Sequence, residues 1–235
     1  MPGYVIHLAV AEQTLKQIRQ EGRNIDNGFA DRFKLGSIVP DTKKGNGKYL
    51  SHFWGDEEFK RFARSPRLDM FLNKYGKRMK EPYIFGYYSH LYMDNLFMRE
   101  YWAKHFEFFD KNMNPVDIYE LVKYVFLRDD GNVYDRQEFF SDEYYYGDYD
   151  RMNNTMIKQY CVKAPDIHII NEISGIKELD LSDAEAELQN MIDLIDNSGR
   201  QSIAEELKVF KIQEMHELIV ACTNDIVSMY FKIYG

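Results

Sequence analysis

Apolar residues recur at helical spacing along most of the chain. Leu8, Ala11, Leu15 and Ile18 fall on one stripe, which predicts an amphipathic helix over about Tyr4 to Arg19 with His7 in its first turn. A short helix follows over Asn27 to Gly36. Ser37-Ile38-Val39-Pro40 then leads to Asp41, and Pro40 is expected to force Val39 out of helical geometry and hold Asp41 in a stiff turn. Asp56 to Arg64 and Pro66 to Met79 read as two more helices, and Pro82 opens a central helical stretch from Tyr83 to Asp110. Asn114-Pro115, followed by Ile118, Leu121, Val122 and Val125, predicts a helix ending near Arg128. Arg151 to Tyr160 reads as a short helix, and Val162 to Leu181 as extended chain around Pro165 and its spaced isoleucines. Ser182-Asp183-Ala184-Glu185 is a capping-box pattern before the stripe Leu188, Met191, Ile192 and Ile195. A second box, Ser202 to Glu205, opens a long last helix with Leu207, Phe210, Leu218, Cys222, Ile226 and Met229 as its core face. The expected fold is all-α, a single-domain bundle of about seven to nine helices over residues 1–235.

Two stretches lack a period. Asp129 to Asp150 is acidic and rich in Tyr and Gly, which predicts a folded loop or lid. Thr42 to Lys48 is basic and Gly-rich, a mobile loop by composition. The 18 Tyr and 16 Phe are enough to exclude a disordered chain despite its polar balance. The net charge of -8 disfavours a general grip on nucleic-acid phosphates. Cys161 and Cys222 are far apart and in no metal-type spacing, so two buried thiols are expected and no disulfide framework. No apolar run approaches a membrane span, and the amino-terminal residues lack the basic and apolar regions of a signal segment; a cytoplasmic protein is expected.

The chemistry gathers around His90 and Asp94. Four residues apart on a helix, they share a face one turn apart, an imidazole and a carboxylate aimed at one point. Gly86, one turn earlier, reads as space left beside an ion or substrate. His7, Asp41 and His52 complete a nitrogen and oxygen donor set of the kind that suits zinc. His105 lies roughly 22 Å from His90 along a straight helix and falls outside the cluster. His168 and Glu172 are too far apart if their segment is extended, and His216 reads as an ordinary helix residue. Phe53, Trp54, Tyr87 and Tyr92 are candidate walls of a substrate groove, with Tyr144 to Tyr149 closing over it, and the Lys43-Lys44 to Lys48 loop is a candidate phosphate contact.

In order, the pieces are Gly-Tyr-Val-Ile-His-Leu around His7, Gly-Ser-Ile-Val-Pro-Asp ending at Asp41, Ser-His-Phe around His52, and Phe-Gly-Tyr-Tyr-Ser-His-Leu-Tyr-Met-Asp with His90 and Asp94. Over roughly residues 3 to 100 this set resembles the zinc-dependent phospholipase C family, which shares its all-helical fold with the fungal single-strand-specific nucleases. Tyr149-Asp150-Arg151-Met152-Asn153-Asn154 is similar to a tract in short bacterial members. The resemblance implies that Asp41, His52, His90 and Asp94 bind one zinc and that Asp94 bridges to a second ion held by His7. A water between the ions would be deprotonated near neutral pH and attack phosphorus, with Asp41 as the candidate catalytic residue orienting it. The implied activity is that of a zinc-dependent phosphoric-ester hydrolase, most simply a phosphodiesterase on a phospholipid-like or other soluble small-molecule phosphodiester. Two departures from the family are expected: without a recognisable signal segment no processed amino-terminal ligand is expected, and Met98 stands one turn beyond Asp94, where a further His is common. One or two ions are therefore expected. The alternative expectation is a non-catalytic binding or regulatory protein on the same scaffold with a reduced metal site. A histidine/aspartate-type phosphohydrolase would need an adjacent His-Asp pair, which is not found.

Overall fold

The first helix is interior on nearly all sides. α1 (Tyr4–Gln20) buries every residue from Val5 to Ala11, His7 among them, and then follows the predicted stripe through Leu15 and Ile18. The computed structural model describes residues 2–43, 47–179, 181, 184–197 and 206–235. α2 (Asn27–Ile38) starts at Asp26, whose carboxylate accepts from Phe29 N at 2.6 Å. It tightens without a break into a 3-10 turn, Val39–Thr42, which carries Asp41. α3 (Gly47–Ser51), α4 (Asp56–Lys60) and α5 (Leu68–Tyr75) are short, and the 3-10 turn Gly76–Arg78 extends the last of them. α6 (Pro82–Leu96) continues through a π-helical turn, Phe97–Trp102, into α7 (Ala103–His105). Strands β1 (Phe106–Phe109), β2 (Tyr124–Leu127) and β3 (Asn132–Asp135) form an antiparallel meander. α8 (Arg136–Phe139), α9 (Tyr145–Tyr160), α10 (Ala184–Asn197) and α11 (Ile212–Tyr234) complete the chain. The protein is mostly helical, with eleven helices among the described residues and a small sheet that the apolar pattern did not predict.

The sheet replaces the helix expected after Asn114. The Asp110 carboxylate accepts from Asn112 N and Asn114 N at 2.8 and 2.9 Å, which closes a tight turn and brings Pro115 back beside Phe109. Val125 and Leu127 are buried on alternate positions of β2, so the spacing that resembled a helix is a strand's period of two with an exposed loop before it. The same loop cuts α4 short, because the Asp117 carboxylate accepts from Phe62 N and Ala63 N and holds the chain extended there. Val39 keeps right-handed helical geometry, φ -56 and ψ -33, since Pro40 sits near the start of a new turn where a missing N–H breaks no bond.

The Tyr-rich tract is regular from Tyr145 onward, and α9 absorbs both it and the short helix expected from Arg151. Residues 167–172 form a 3-10 helix capped by Asp166, not extended chain. α11 begins at Ile212, well after the expected start. The buried Asp148 carboxylate accepts from the backbone N–H groups of Lys208, Val209 and Phe210, taking amides that a helix would need. The capping residues Ser182, Asp183 and those of 202–205 lie outside the described residues. Cys222 is buried as expected, whereas Cys161 is exposed, in the left-handed cap at the end of α9. No described helix is long and apolar enough to cross a membrane.

The closest helix contact is between α2 and α6. A Cβ on Gly86 would strike the carbonyl oxygen of Phe33, and one on Gly36 would strike that of Tyr83. Gly86 is therefore a backbone-to-backbone crossing point and does not leave room beside an ion. Around it one continuous core joins α1, α2, α6, α9 and α11.

Gly86→Ala is expected to lower the unfolding free energy by about 3 kcal/mol, read from denaturant midpoints. Gly76→Ala, where an added Cβ meets nothing within 4 Å, is the control, expected to be neutral or stabilising by up to about 1 kcal/mol. A thiol-titrating disulfide reagent should label one cysteine in the native chain, Cys161, and Cys222 only on unfolding.

Candidate metal centre

Four segments deliver the donors. His7 comes from the first turn of α1, Asp41 from the 3-10 turn after α2, His52 from the end of α3, and His90 and Asp94 from α6. The structure brings all five expected residues together. His52 Nε2 lies 3.2 Å from His90 Nε2, 3.5 Å from Asp41 Oδ1 and 3.4 Å from Asp94 Oδ2, and His90 Nε2 is also 3.4 Å from Asp94 Oδ2. On the other side, His7 Nε2 is 3.5 Å from Asp94 Oδ1 and 3.9 Å from Asp41 Oδ2, while its ring stacks on His90 at 3.9 Å. Each carboxylate thus turns one oxygen toward His52 and the other toward His7.

The outer contacts fix which way the imidazoles present their lone pairs. His90 Nδ1 is 2.9 Å from the Ser37 carbonyl oxygen, which only accepts, so Nδ1 carries a proton. The Ser51 hydroxyl donates to Pro40 O at 3.1 Å, which leaves its oxygen to accept from His52 Nδ1 at 2.9 Å. With both rings neutral, both Nε2 atoms therefore offer lone pairs to the same point, where either a metal ion or a proton on one of them can stand. The second oddity is larger: among the described residues, both oxygens of the fully buried Asp94, and both ring nitrogens of His7, have no hydrogen-bond partner. A tetrahedral ion with ligands at about 2.05 Å sets donor atoms about 3.3 Å apart. The triangle of His52, His90 and Asp94, at 3.2 to 3.4 Å, fits that spacing, and Asp41 joins it at 3.5 Å from His52.

The charges agree with this geometry. Burial alone would raise the Asp94 carboxyl, but the facing imidazoles of His90 and His7 hold it far below the usual carboxylate range. Asp41 is likewise held down, against its burial, by the Lys48 ammonium 2.7 Å from Oδ1 and by His52. Burial pushes His52 down to about 4 and lowers His7, whereas Asp94 and Asp41 raise His90 in spite of its burial. Without an ion, the proton belongs to His90, whose Nε2–H then points at His52.

Other expected site residues go elsewhere. Tyr87 is a buried strut whose hydroxyl donates to the Ser51 carbonyl, and Phe53 turns the chain after His52 in a left-handed conformation, φ 52, with its ring in the core. Tyr92 donates to Asp225 Oδ2 at 2.8 Å, on α11. His105 joins a separate network with Asp129 and Glu214. Glu172 pairs with Arg32, His168 is exposed, and Tyr160 bonds His216 Nδ1 at 2.9 Å. Sequence reasoning missed the supports Ser37 and Ser51, although each adjoins a quoted motif, and the specific pairing of Lys48 with Asp41. Tyr149, the last residue of the segment expected to close over the groove, is near enough for both carboxylates to add to the burial that keeps its phenol protonated.

Trp54 is the exception among the candidate walls. Its ring is 5.5 Å from that of His52, and with Lys48 it borders a cavity of about 510 Å³. Comparison of the chain with protein-family models, with curated proteins and with solved structures gives no match.

Because burial lowers His7 and takes His52 down to about 4, while His90 alone of the three is raised, divalent metal binding is expected to release at most about one proton. The folded pKa of His90 lies above its ordinary value, so affinity should fall as pH drops through that raised pKa. Calorimetric titration in two buffers of different ionisation enthalpy measures the proton count.

Proposed function

We propose that the protein is a divalent-metal-dependent hydrolase of phosphoric esters, with zinc as the metal and a small phosphodiester as the substrate. The observation that carries this reading is the set of buried donor atoms without partners, His7 Nε2 and both oxygens of Asp94, converging with His52, His90 and Asp41 beside an open cavity. The nitrogen and carboxylate donors suit zinc. His52, His90, Asp41 Oδ1 and Asp94 Oδ2 would hold one ion, and His7 with Asp94 Oδ1 and Asp41 Oδ2 a second. A cation held there supplies Lewis acidity and an acidified water.

The chain's own residues do the rest. Asp94, buried and ionised, keeps the donor cluster negative enough to retain a dication, and Ser37 and Ser51 keep two lone pairs on target. Asp41 lies between His52 and Lys48, where a carboxylate can align a nucleophile and an ammonium can meet a phosphoryl oxygen. The resemblance to the zinc-dependent phospholipase C family, carried by the same five residues, supports the same class of chemistry. The second reading is a non-catalytic binding protein with a reduced site. It is favoured by the Lys48 ammonium already on Asp41, and by Met98, a buried thioether one turn past Asp94.

The test is metal content by plasma mass spectrometry, beside hydrolysis of bis(4-nitrophenyl) phosphate by the zinc-loaded protein. The wild type should hold one or two zincs and turn over the diester; Asp94→Asn should lose metal and at least about a hundredfold in rate. The exposed His168→Ala should leave both unchanged. Bound zinc with no turnover of any phosphoric ester would favour the second reading, and no metal binding at all would overturn both.

A further inference from the structure

We propose that the cavity beside the metal centre binds an organic anion through Arg64 and Arg136, and thereby selects substrates that carry a second negative group on a flat, apolar body. The selection of substrate rests on the phosphoric-ester reading; the affinity for an organic anion does not.

The cavity is unusual for an acidic protein. In a chain of net charge -8, its walls carry three cations, Lys48, Arg64 and Arg136, and no carboxylate. Asp41 answers Lys48, but among the described residues neither arginine has an acidic partner. Their side-chain hydrogen bonds go to backbone carbonyls: Arg64 Nε donates to Arg61 O at 3.0 Å, and Arg136 Nη1 to Tyr119 O at 2.8 Å. Both are held by ring faces instead. Arg64 lies over Tyr119, Phe59 and Trp54 at 4.3, 4.6 and 5.2 Å, and Arg136 over Tyr119 and Phe62 at 4.3 and 4.8 Å.

The rings hold each guanidinium in place, and the N–H groups that do not serve those carbonyls, both terminal nitrogens of Arg64 among them, are the ones with which arginine takes a planar or tetrahedral oxyanion. Burial lowers the Arg64 pKa and the charge of Arg136 lowers it further, a repulsion that a bound anion relieves. Trp54 adds a buried indole N–H with no acceptor among the described residues. The remaining wall is largely aromatic, so an inorganic ion would leave most of it uncovered, whereas a flat organic body fills it. Lys48 and Trp54 connect the cavity to Asp41 and His52, so one molecule can span the arginine pair and the metal centre.

Both tryptophans of the chain, Trp54 and Trp102, line this cavity, so quenching of intrinsic fluorescence reports its occupancy directly. The probes are 4-nitrobenzenesulfonate, an aromatic anion and a poor metal ligand, and the neutral 4-nitrobenzyl alcohol. The sulfonate should quench saturably, with an affinity about tenfold above that of the alcohol and falling with added salt. Arg64→Gln should weaken the sulfonate about tenfold and leave the alcohol unchanged, Arg64→Lys should restore part of the loss, and Asp94→Asn should keep sulfonate affinity while losing metal. Equal affinity for the two probes in the wild type, or sulfonate affinity unchanged in a folded Arg64→Gln protein, overturns the proposal. If Arg64→Gln does not fold, the comparison of probes and the salt dependence in the wild type decide it. Sulfonate binding without diester hydrolysis would remove the proposed activity alone; hydrolysis without anion preference would remove the anion site alone.

Discussion

Where α2 crosses α6, no side chain separates the two backbones, because Gly36 and Gly86 face each other there. Packed helices ordinarily lie about 8 to 10 Å apart, and a glycine pair is what brings them to the near end of that range. Ser37 follows Gly36, and its carbonyl reaches His90, one turn past Gly86, at 2.9 Å. Asp41 lies one turn further along the same chain. The crossing therefore sets both the tilt of the His90 ring and the height at which the Asp41 carboxylate meets it. His7 then closes the group from α1, which packs on α2 and α6 together.

This arrangement is an electrostatic burden on the folded chain. A fully buried carboxylate with neither oxygen hydrogen-bonded is destabilising unless positive charge stands close by. The imidazole of His90, its pKa raised, faces Asp94 at 3.4 Å, and the Lys48 ammonium faces Asp41 at 2.7 Å. Around the cluster the protein is otherwise well satisfied: serine and backbone oxygens orient His52 and His90, and Tyr87 braces the end of α3. Two of the donors, Asp94 and His7, are thus buried with polar atoms that lack a hydrogen-bond partner among the described residues, the pattern of a site arranged for something other than stability.

Much of the site was legible because its residues announce themselves in short local patterns. The i, i+4 pair His90 and Asp94, the turn at Pro40-Asp41 and the early position of His7 on a helix all survive in three dimensions. Gly86 was misread, since a missing side chain looks the same in sequence whether it makes room for a ligand or for a neighbouring backbone. The sheet was missed because Ile118, Leu121, Val122 and Val125 satisfy a helical stripe by coincidence, and the deciding contact is the side chain of Asp110 closing a turn on Asn114. The start of α11 depends on Asp148, some sixty residues away, and no window of local pattern spans that distance.

The five donor residues all lie between positions 7 and 94, while most of the aromatic and basic wall beyond them, including Tyr119, Arg136, Phe140 and Tyr145, comes from later in the chain. Donors and wall therefore come from largely different stretches of one polypeptide, with Lys48, Trp54, Phe62 and Arg64 the early share of the wall. The later stretch is itself anchored in the core by Val125, Leu127, Phe139 and Tyr145. One core thus fastens two surfaces, the donor cluster at the crossing of α2 and α6 and the aromatic, basic wall beside it.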